Sequence, residues 1–482
     1  MIEMSLAQLA AVVGGAVVGG ADADRVSVSG AAAIDSRAVE PGGLFVALAG
    51  EHVDGHDYAA AAVAAGAAAV LGSRDCAVPG VLVDDPVAAL GLLARHVLDG
   101  LPELPVVALT GSAGKTGTKD YLAQVLAGAG ATVATQGNYN NELGVPLTVL
   151  RVTQATEYLV VEMGARGVGH IAELCRIAPP RVAAVLNIGT AHVGEFGSRE
   201  YIAQAKGEIV EALPADGTAV LNADDPLTAA MVGRTRARVL RFGAADAAGA
   251  AEVGVEVAWR EVRLDDLGRA TFQLGFGGDW ARVTLSQLGE HQVANAAAAA
   301  AMALAVGLPL DLVARGLCAS RAASHWRMEP HQRADGLLVV NDAYNANPES
   351  MQAALETLAR IGGNRAGRTV AVLGEMLELG ADEERAHRAV GAVAAGAPVD
   401  VLVTVGERAA WAADGAEEVP GFAGRVVRAH SGDQALSWLR DNVTAADVVL
   451  VKASRGAALE HIADGLLAQV PTPAETEGDG AR

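Results

Sequence analysis

The stretch LTGSAGKTGTKDYLAQVLAGAG, Leu109–Gly130, places GKT directly after a strand-like apolar run. A phosphate cradle needs inward-pointing backbone N–H groups, a helix N-terminus behind them and a lysine. Gly111 and Gly114 supply conformational freedom, Lys115 would reach the β- and γ-phosphates, and the Thr116 hydroxyl suits a magnesium ion. Tyr121, Leu122, Val125 and Leu126 give the following helix its apolar face. The usual cradle has a glycine five residues before Gly114, where this chain has Leu109. The competing reading is a glycine turn between strand and helix that binds nothing.

A magnesium–nucleotide site also needs a carboxylate. Glu162 ends the run YLVVEMG, where a parallel strand delivers side chains to the C-terminal edge of its sheet. His192, in LNIGTAHVGEFG, follows another such run. Each alone is an ordinary loop residue; downstream of a cradle they become a set. Lys206, in YIAQAKGEIVEAL, shares a helix face with Ile202, Ala205, Ile209 and Leu213. A lysine there costs desolvation energy unless it is paired or neutralised; the alternative is a side chain snorkelling at the rim of the core. VVNDAYNANPESM puts Asp342, Tyr344, Asn345 and Asn347 just past a strand, as a ligand cluster or as an Asx turn capping the next helix. Asn295 and Arg327 are weak signals taken singly.

These residues need sheets to position them. GGLFVALAG and GAAAVLG read as strands, with the alanine-rich helix DYAAAAVAAG between them ending at Gly66. LPELP then reads as a linker. From Pro105, short apolar runs ending in polar or glycine breaks alternate with helices, the pattern of a parallel sheet buried on both faces. GEHQVANAAAAAAMALAVGL is a long helix in the same region. After HWRMEP, four more apolar runs repeat the α/β pattern. The expected fold is α/β in three domains: residues 1–102, a small α/β domain; 103–327, a central P-loop domain with a parallel sheet; 328–470, a Rossmann-like domain. A tail at 471–482 has nothing to bury and is expected to be disordered. Three domains also suit 482 residues at about 150 per domain.

Asp plus Glu number 57 against 36 Lys plus Arg, a net charge of −21, which argues against general nucleic-acid or anionic-membrane binding. Cys76, Cys175 and Cys318 are scattered and form no CxxC, so a disulfide framework or zinc site is not expected and a reducing cytoplasm fits. LAQLAAVVGGAVVGG follows Glu3, lacks a basic flank and is broken by glycine pairs, so it does not read as a signal peptide. No stretch reads as a membrane span.

The ensemble resembles the Mur ligase superfamily, ATP-dependent amide-forming ligases of peptidoglycan synthesis, whose cradle runs T-G-x-x-G-K-T, as Thr110, Gly111, Ser112, Ala113, Gly114, Lys115 and Thr116 do here. The resemblance covers all but the tail. DSRAVEPGGLFVALAGEHVDGHDY, GNYNNELGVPLTVL, NDAYNANPESM and VLGEMLELG are similar to the branch that adds D-alanyl-D-alanine to UDP-N-acetylmuramoyl-tripeptide. The DNPR motif usual in the sibling that adds a diamino acid is absent. That sibling activity and a P-loop regulatory ATPase remain the alternatives. The resemblance implies that Lys115 and Thr116 serve ATP and magnesium. Glu162 and His192 would be metal ligands, with Lys206 carbamylated to bind a second magnesium. Asn295 would contact adenine; Arg327 and Asp342 would meet the nucleotide from the interdomain side. Ser36 and Arg37 match the uridine-nucleotide site, and Asn138, Asn140 and Asn141 a loop facing the muramoyl substrate. Asn345, Asn347, Lys452 and Arg455 would lie toward the substrates, the last two near the incoming amine. The implied enzyme is a monomer.

Overall fold

The computed structural model describes residues 1–20, 22–50, 53–189, 198–246 and 254–468. The expected tail and His192 fall outside these residues. Three larger sheets organise the chain. The first has five strands, in the order Ala16–Val18, Gly80–Leu82, Ala69–Gly72, Leu44–Val46, Ala32–Ala33. Only its first pair is antiparallel. The alanine-rich helix Ala59–Ala65 ends at Gly66, whose φ of 120° suits glycine. The segment read as no signal peptide folds into the helix Leu6–Val13 and the strand Ala16–Val18.

The central sheet has nine strands. In spatial order they are Asp279–Leu288, Arg269–Phe276, Val257–Leu264, Arg238–Ala244, Thr218–Asn222, Val182–Val185, Val106–Thr110, Tyr158–Glu162 and Thr132–Ala134. The seven from Val257–Leu264 to Thr132–Ala134 pair in parallel. The other two extend the sheet as an antiparallel meander, which corrects the purely parallel sheet read from sequence. The added strands alternate inward and outward, as in ARVTL, so they lack the continuous apolar run that marks a strand buried on both faces. The cradle strand Val106–Thr110 is wholly buried, and later strands flank it on both sides. That is the topological switch point where α/β sheets open a crevice at their carboxyl ends.

One apolar core lies on each face of this sheet. On one face Val106, Ala108 and Val161 pack with Leu90, Leu93 and Val97 of the helix Pro86–Asp99, so the N-terminal region shares a core with the centre. On the other lie Tyr121, Leu122, Val125 and Leu126 of the cradle helix Lys115–Ala127 and the alanines of the helix Gln292–Ala305. That alanine helix is buried nearly all round, as expected of one apolar on every side. The third sheet runs Glu329–Gln332, Leu338–Asp342, Val448–Lys452, Thr369–Leu373, Val401–Val405, Arg425–Ala429, with one antiparallel edge pair and cores on both faces.

Candidate active site

The cradle begins where its strand ends. In register, Glu162 stands opposite Leu109 and Val185 opposite Thr110. Leu109 is fully buried, the last residue but one of the strand that presents the turn. Gly114 has φ 79°, and a Cβ there would stand 2.3 Å from Asn295 Oδ1. Only glycine fits, and Asn295 of the alanine helix is thereby held against the cradle. Asn187, which sequence reasoning missed, locks the turn from below: its Oδ1 accepts from Ala113 N–H at 2.8 Å and its Nδ2 donates to Ala113 O at 3.0 Å. The Lys115 ammonium donates to Gly111 O at 2.7 Å. Burial lowers its pKa, Glu162 opposes that shift, and Arg327 adds to it.

The Thr116 hydroxyl donates to Glu162 Oε2 at 3.1 Å, and Asn140 Nδ2 donates to Glu162 Oε1 at 2.8 Å. Both Thr116 and Glu162 are buried. The Thr110 and Ser112 hydroxyls are buried without a hydrogen-bond partner among the described residues, an arrangement that costs stability unless a ligand satisfies it. Lys206 is 2 % exposed on the helix Arg199–Glu211. Burial drives its pKa well down, and the Lys115 charge drives it further. No carboxylate pairs with it among the described residues. No cluster of three or more His, Cys, Asp or Glu side chains forms a metal site there either. A hydroxyl and a carboxylate beside a cradle are nevertheless the hard oxygen donors that magnesium takes.

The third sheet meets the cradle from above. A Cβ on Gly189 would lie 2.9 Å from Glu349 Oε1 and 3.3 Å from Ser112 Cβ, so that glycine admits the helix Pro348–Gly363 to the cradle. Arg327 lies over the Tyr344 ring, 4.2 Å from its centroid, and Arg455 over Trp326 at 4.5 Å.

The remaining predicted residues are engaged elsewhere. Lys452, 2 % exposed, donates to Asp342 Oδ2 at 2.7 Å and to Asn345 O at 2.9 Å. Asp342 Oδ1 accepts from Met328 N–H at 3.0 Å. These two expected ligand residues thus neutralise each other. Asn347 caps its helix by accepting from Ser350 N–H, and Asn345 Oδ1 accepts from Ala346 N–H. For these asparagines the turn-and-cap reading describes the geometry. Asn141 accepts from Leu143 and Gly144 N–H, and the backbone of Asn138 accepts from Asn140 N–H. Ser36 and Arg37 form a short turn in the N-terminal region; Arg37 is exposed, pairs with Asp35 and has no described contact with the cradle.

A P-loop sheet with a buried magnesium-type carboxylate, closed from above by a second nucleotide-fold-like sheet, defines an ATP-using enzyme assembled from several domains. Family models described as the catalytic domain of the Mur ligase family, the Mur ligase middle domain and the glutamate ligase domain match residues 31–97, 109–303 and 326–455. The chain belongs to the Mur ligase family, and is an ATP-dependent amide-bond-forming ligase. It is 45 % identical to the UDP-N-acetylmuramoyl-tripeptide–D-alanyl-D-alanine ligase of Mycobacterium bovis, over 97 % of this chain and 98 % of that one. The structure of UDP-N-acetylmuramoylalanyl-D-glutamyl-2,6-diaminopimelate–D-alanyl-D-alanyl ligase from Acinetobacter baumannii matches with a TM-score of 0.82 and 32 % identity, covering 97 % and 99 %. MurF ligase from Thermotoga maritima, solved in complex with ADP, matches at 0.75 and 30 %, covering 91 % and 97 %. No described helix is long and apolar enough to cross a membrane.

Proposed function

We infer that this chain joins D-alanyl-D-alanine to the terminal carboxylate of UDP-N-acetylmuramoyl-tripeptide, with cleavage of ATP to ADP and phosphate, as a cytoplasmic monomer making peptidoglycan precursor. The observation that carries the reading is the Thr116–Glu162–Asn140 chain, its first two residues buried, beside a cradle whose Thr110 and Ser112 hydroxyls lack a partner among the described residues. The peptide carboxylate attacks the γ-phosphorus, the bond to the ADP oxygen breaks, and an acyl phosphate forms. The dipeptide amine then attacks the carbonyl carbon, a tetrahedral intermediate collapses, phosphate leaves and the amine loses a proton.

A carboxylate approaching a polyanion is repelled, so charge neutralisation and positioning are the main tasks of the protein. Lys115 supplies a fixed cation and the cradle amides from Gly111 to Thr116 hold the phosphates. Asn295 would border the adenine, with Arg327 and Asp342 on the interdomain side. Thr116, Glu162, His192 and a carbamylated Lys206 would hold two magnesium ions. Magnesium, when bound, offsets phosphate charge. Carbamylation turns a lysine that is costly to bury as a cation into an anionic oxygen donor. The N-terminal domain, residues 1–102 with Ser36 and Arg37, takes the uridine nucleotide. Residues 103–327 take ATP, and residues 328–470 take the amine near Arg455. Closing the C-terminal domain excludes water from the acyl phosphate.

The test is phosphate release with UDP-N-acetylmuramoyl-tripeptide, offering D-alanyl-D-alanine against single amino acids. The dipeptide alone should sustain turnover, and Lys115→Ala should abolish it. Turnover with a single diamino acid would make the chain the sibling ligase, and hydrolysis needing neither peptide would make it a regulatory ATPase.

A further inference from the structure

Two loops clasp each other beyond Glu162. One, residues 135–143, follows the strand Thr132–Ala134; the other, residues 163–169, follows Tyr158–Glu162. At the inner end Gly164 N–H donates to Asn140 O at 2.8 Å, beside the Asn140–Glu162 bond. At the outer end Glu142 Oε2 lies 3.0 Å from His170 Nε2. His170 Nδ1 accepts from Arg166 N–H at 3.2 Å, so the neutral ring carries its proton on Nε2 and donates it to Glu142. Glu208, on the Lys206 helix, accepts from Gly169 N–H at 2.5 Å and from Ala172 N–H at 2.9 Å. The backbone of this rim is therefore pinned from both sides.

One group on the rim is not pinned. The Arg166 side chain is 68 % exposed, and among the described residues its guanidinium meets only Glu142 Oε1, at 3.8 Å. That is outside hydrogen-bond reach. Arg37 and Arg368, by contrast, close on their aspartates at 2.7 Å. Arg166 thus offers an exposed cation on a pinned backbone, its donor fork free among the described residues, four residues beyond Glu162 in a strongly acidic chain.

We propose that Arg166 binds a carboxylate of the peptide substrate other than the one being activated, and so selects peptides that carry this second anion. The inference rests on the proposed reaction. On that reaction the activated carboxylate meets the γ-phosphate at the cradle, and the 163–169 loop continues directly from Glu162 at the cradle's edge. The alanyl-D-glutamyl-2,6-diaminopimelate named for the Acinetobacter relative keeps a free carboxylate on its glutamyl residue and a spare one on its diaminopimelate. An arginine fork fits either in bidentate fashion. Glu142 is the counter-charge that the substrate carboxylate replaces.

The experiment compares the whole enzyme with Arg166→Gln on UDP-muramoyl tripeptides ending in diaminopimelate or in lysine, which lacks the spare carboxylate. Binding is measured without ATP and ligation with it. Arg166→Gln should raise the tripeptide Kd and KM about ten- to hundredfold and leave kcat and the KM values for ATP and the dipeptide unchanged. A rise confined to the diaminopimelate substrate assigns the spare carboxylate of the third residue; a rise with both assigns the glutamyl carboxylate. Glu142→Gln, which keeps an acceptor for His170 and removes the competing charge, should leave the tripeptide Kd unchanged or lower it. An unchanged Kd in Arg166→Gln, or an equal rise in Glu142→Gln, would overturn the proposal. Wild-type protein that binds the tripeptide but ligates nothing to it would instead overturn the reaction.

Discussion

Of the 36 basic residues only Lys115, Lys119, Lys206 and Lys452 are lysines, and the last three are nearly buried. Arginine carries nearly all the positive charge of this chain's surface. Lysine is kept where a compact ammonium fits, and a buried lysine readily gives up its proton. Lys206 is the sharpest case, since burial and Lys115 both favour its free amine, the form that adds CO2. Labelling with 13C-bicarbonate should give a carbamate resonance that disappears in Lys206→Ala. That variant should be inactive and partly rescued by a small carboxylate; a resonance surviving the substitution would place the carbamate on another lysine. Lys206 was legible in the sequence because a charge on an apolar helix face contradicts its surroundings. Glu162 was legible because it ends a strand. Asn187, Glu142 and His170 were not, since a polar residue after a strand is ordinary until the fold shows what it faces. Asn140 and Lys452, read as substrate contacts, also have partners that the sequence did not reveal. Their side chains are taken by Glu162 and Asp342, partners 22 and 110 residues away that spacing along the chain cannot reveal.

Elements buried on both faces or carrying a clear cap could be read directly: the cradle strand, the alanine helix, and the helix ending at Gly66. The antiparallel meander from 257 to 288 could not, because a half-solvated strand with arginine on its outer face resembles a loop. One loop that was legible only as a motif, GEMLELG, is held by a histidine outside it. His387, on the helix Glu383–Gly396, accepts from Met376 N–H through Nε2 at 3.0 Å, and its Nδ1 lies 2.7 Å from Glu383 O. Leu377 N–H donates to Ser454 Oγ, joining this loop to the one after Val448–Lys452. Burial lowers the His387 pKa below 6.5. The unfolded chain then binds more protons than the native one, so stability present above pH 6.5 is lost as pH falls through that value toward the lower native pKa. Thermal denaturation between pH 5 and 7.5 should show this decline, and His387→Gln should flatten it. His291, also lowered by burial, would leave a residual slope. His387→Ala leaves the Met376 N–H without its acceptor and should cost about 1–3 kcal/mol. An unaltered pH slope in His387→Gln would show that this ring does not control the loop.

At the scale of the whole molecule, the connection between the central and C-terminal sheets is under backbone strain. Trp326 has φ 59° and Met328 φ 47°, the left-handed region that bulky side chains rarely adopt. Each such residue costs about 1–3 kcal/mol and persists only where its surroundings enforce it. The enforcing contacts all come from the C-terminal side. Trp326 O accepts from Tyr344 N–H, Trp326 N–H donates to Glu329, Met328 N–H donates to Asp342, and Arg455 covers the Trp326 ring. Relaxing these two residues would break the contacts to Tyr344, Asp342 and Arg455 and release the strain together. The released strain would offset part of the lost contacts, so this turn is where nucleotide binding is expected to shift the conformation. Arg327, between the two strained residues, lies over Tyr344 and near enough to Lys115 for its charge to act on that lysine, which links the turn to what the cradle holds. ATP or ADP should therefore change the environment of Trp326. Titrating nucleotide should alter the intrinsic fluorescence of the wild type, and Trp326→Phe, which keeps the other four tryptophans, should lose most of that change. A response undiminished in Trp326→Phe would mean that the linker keeps one conformation and that closure, if it occurs, bends the chain elsewhere.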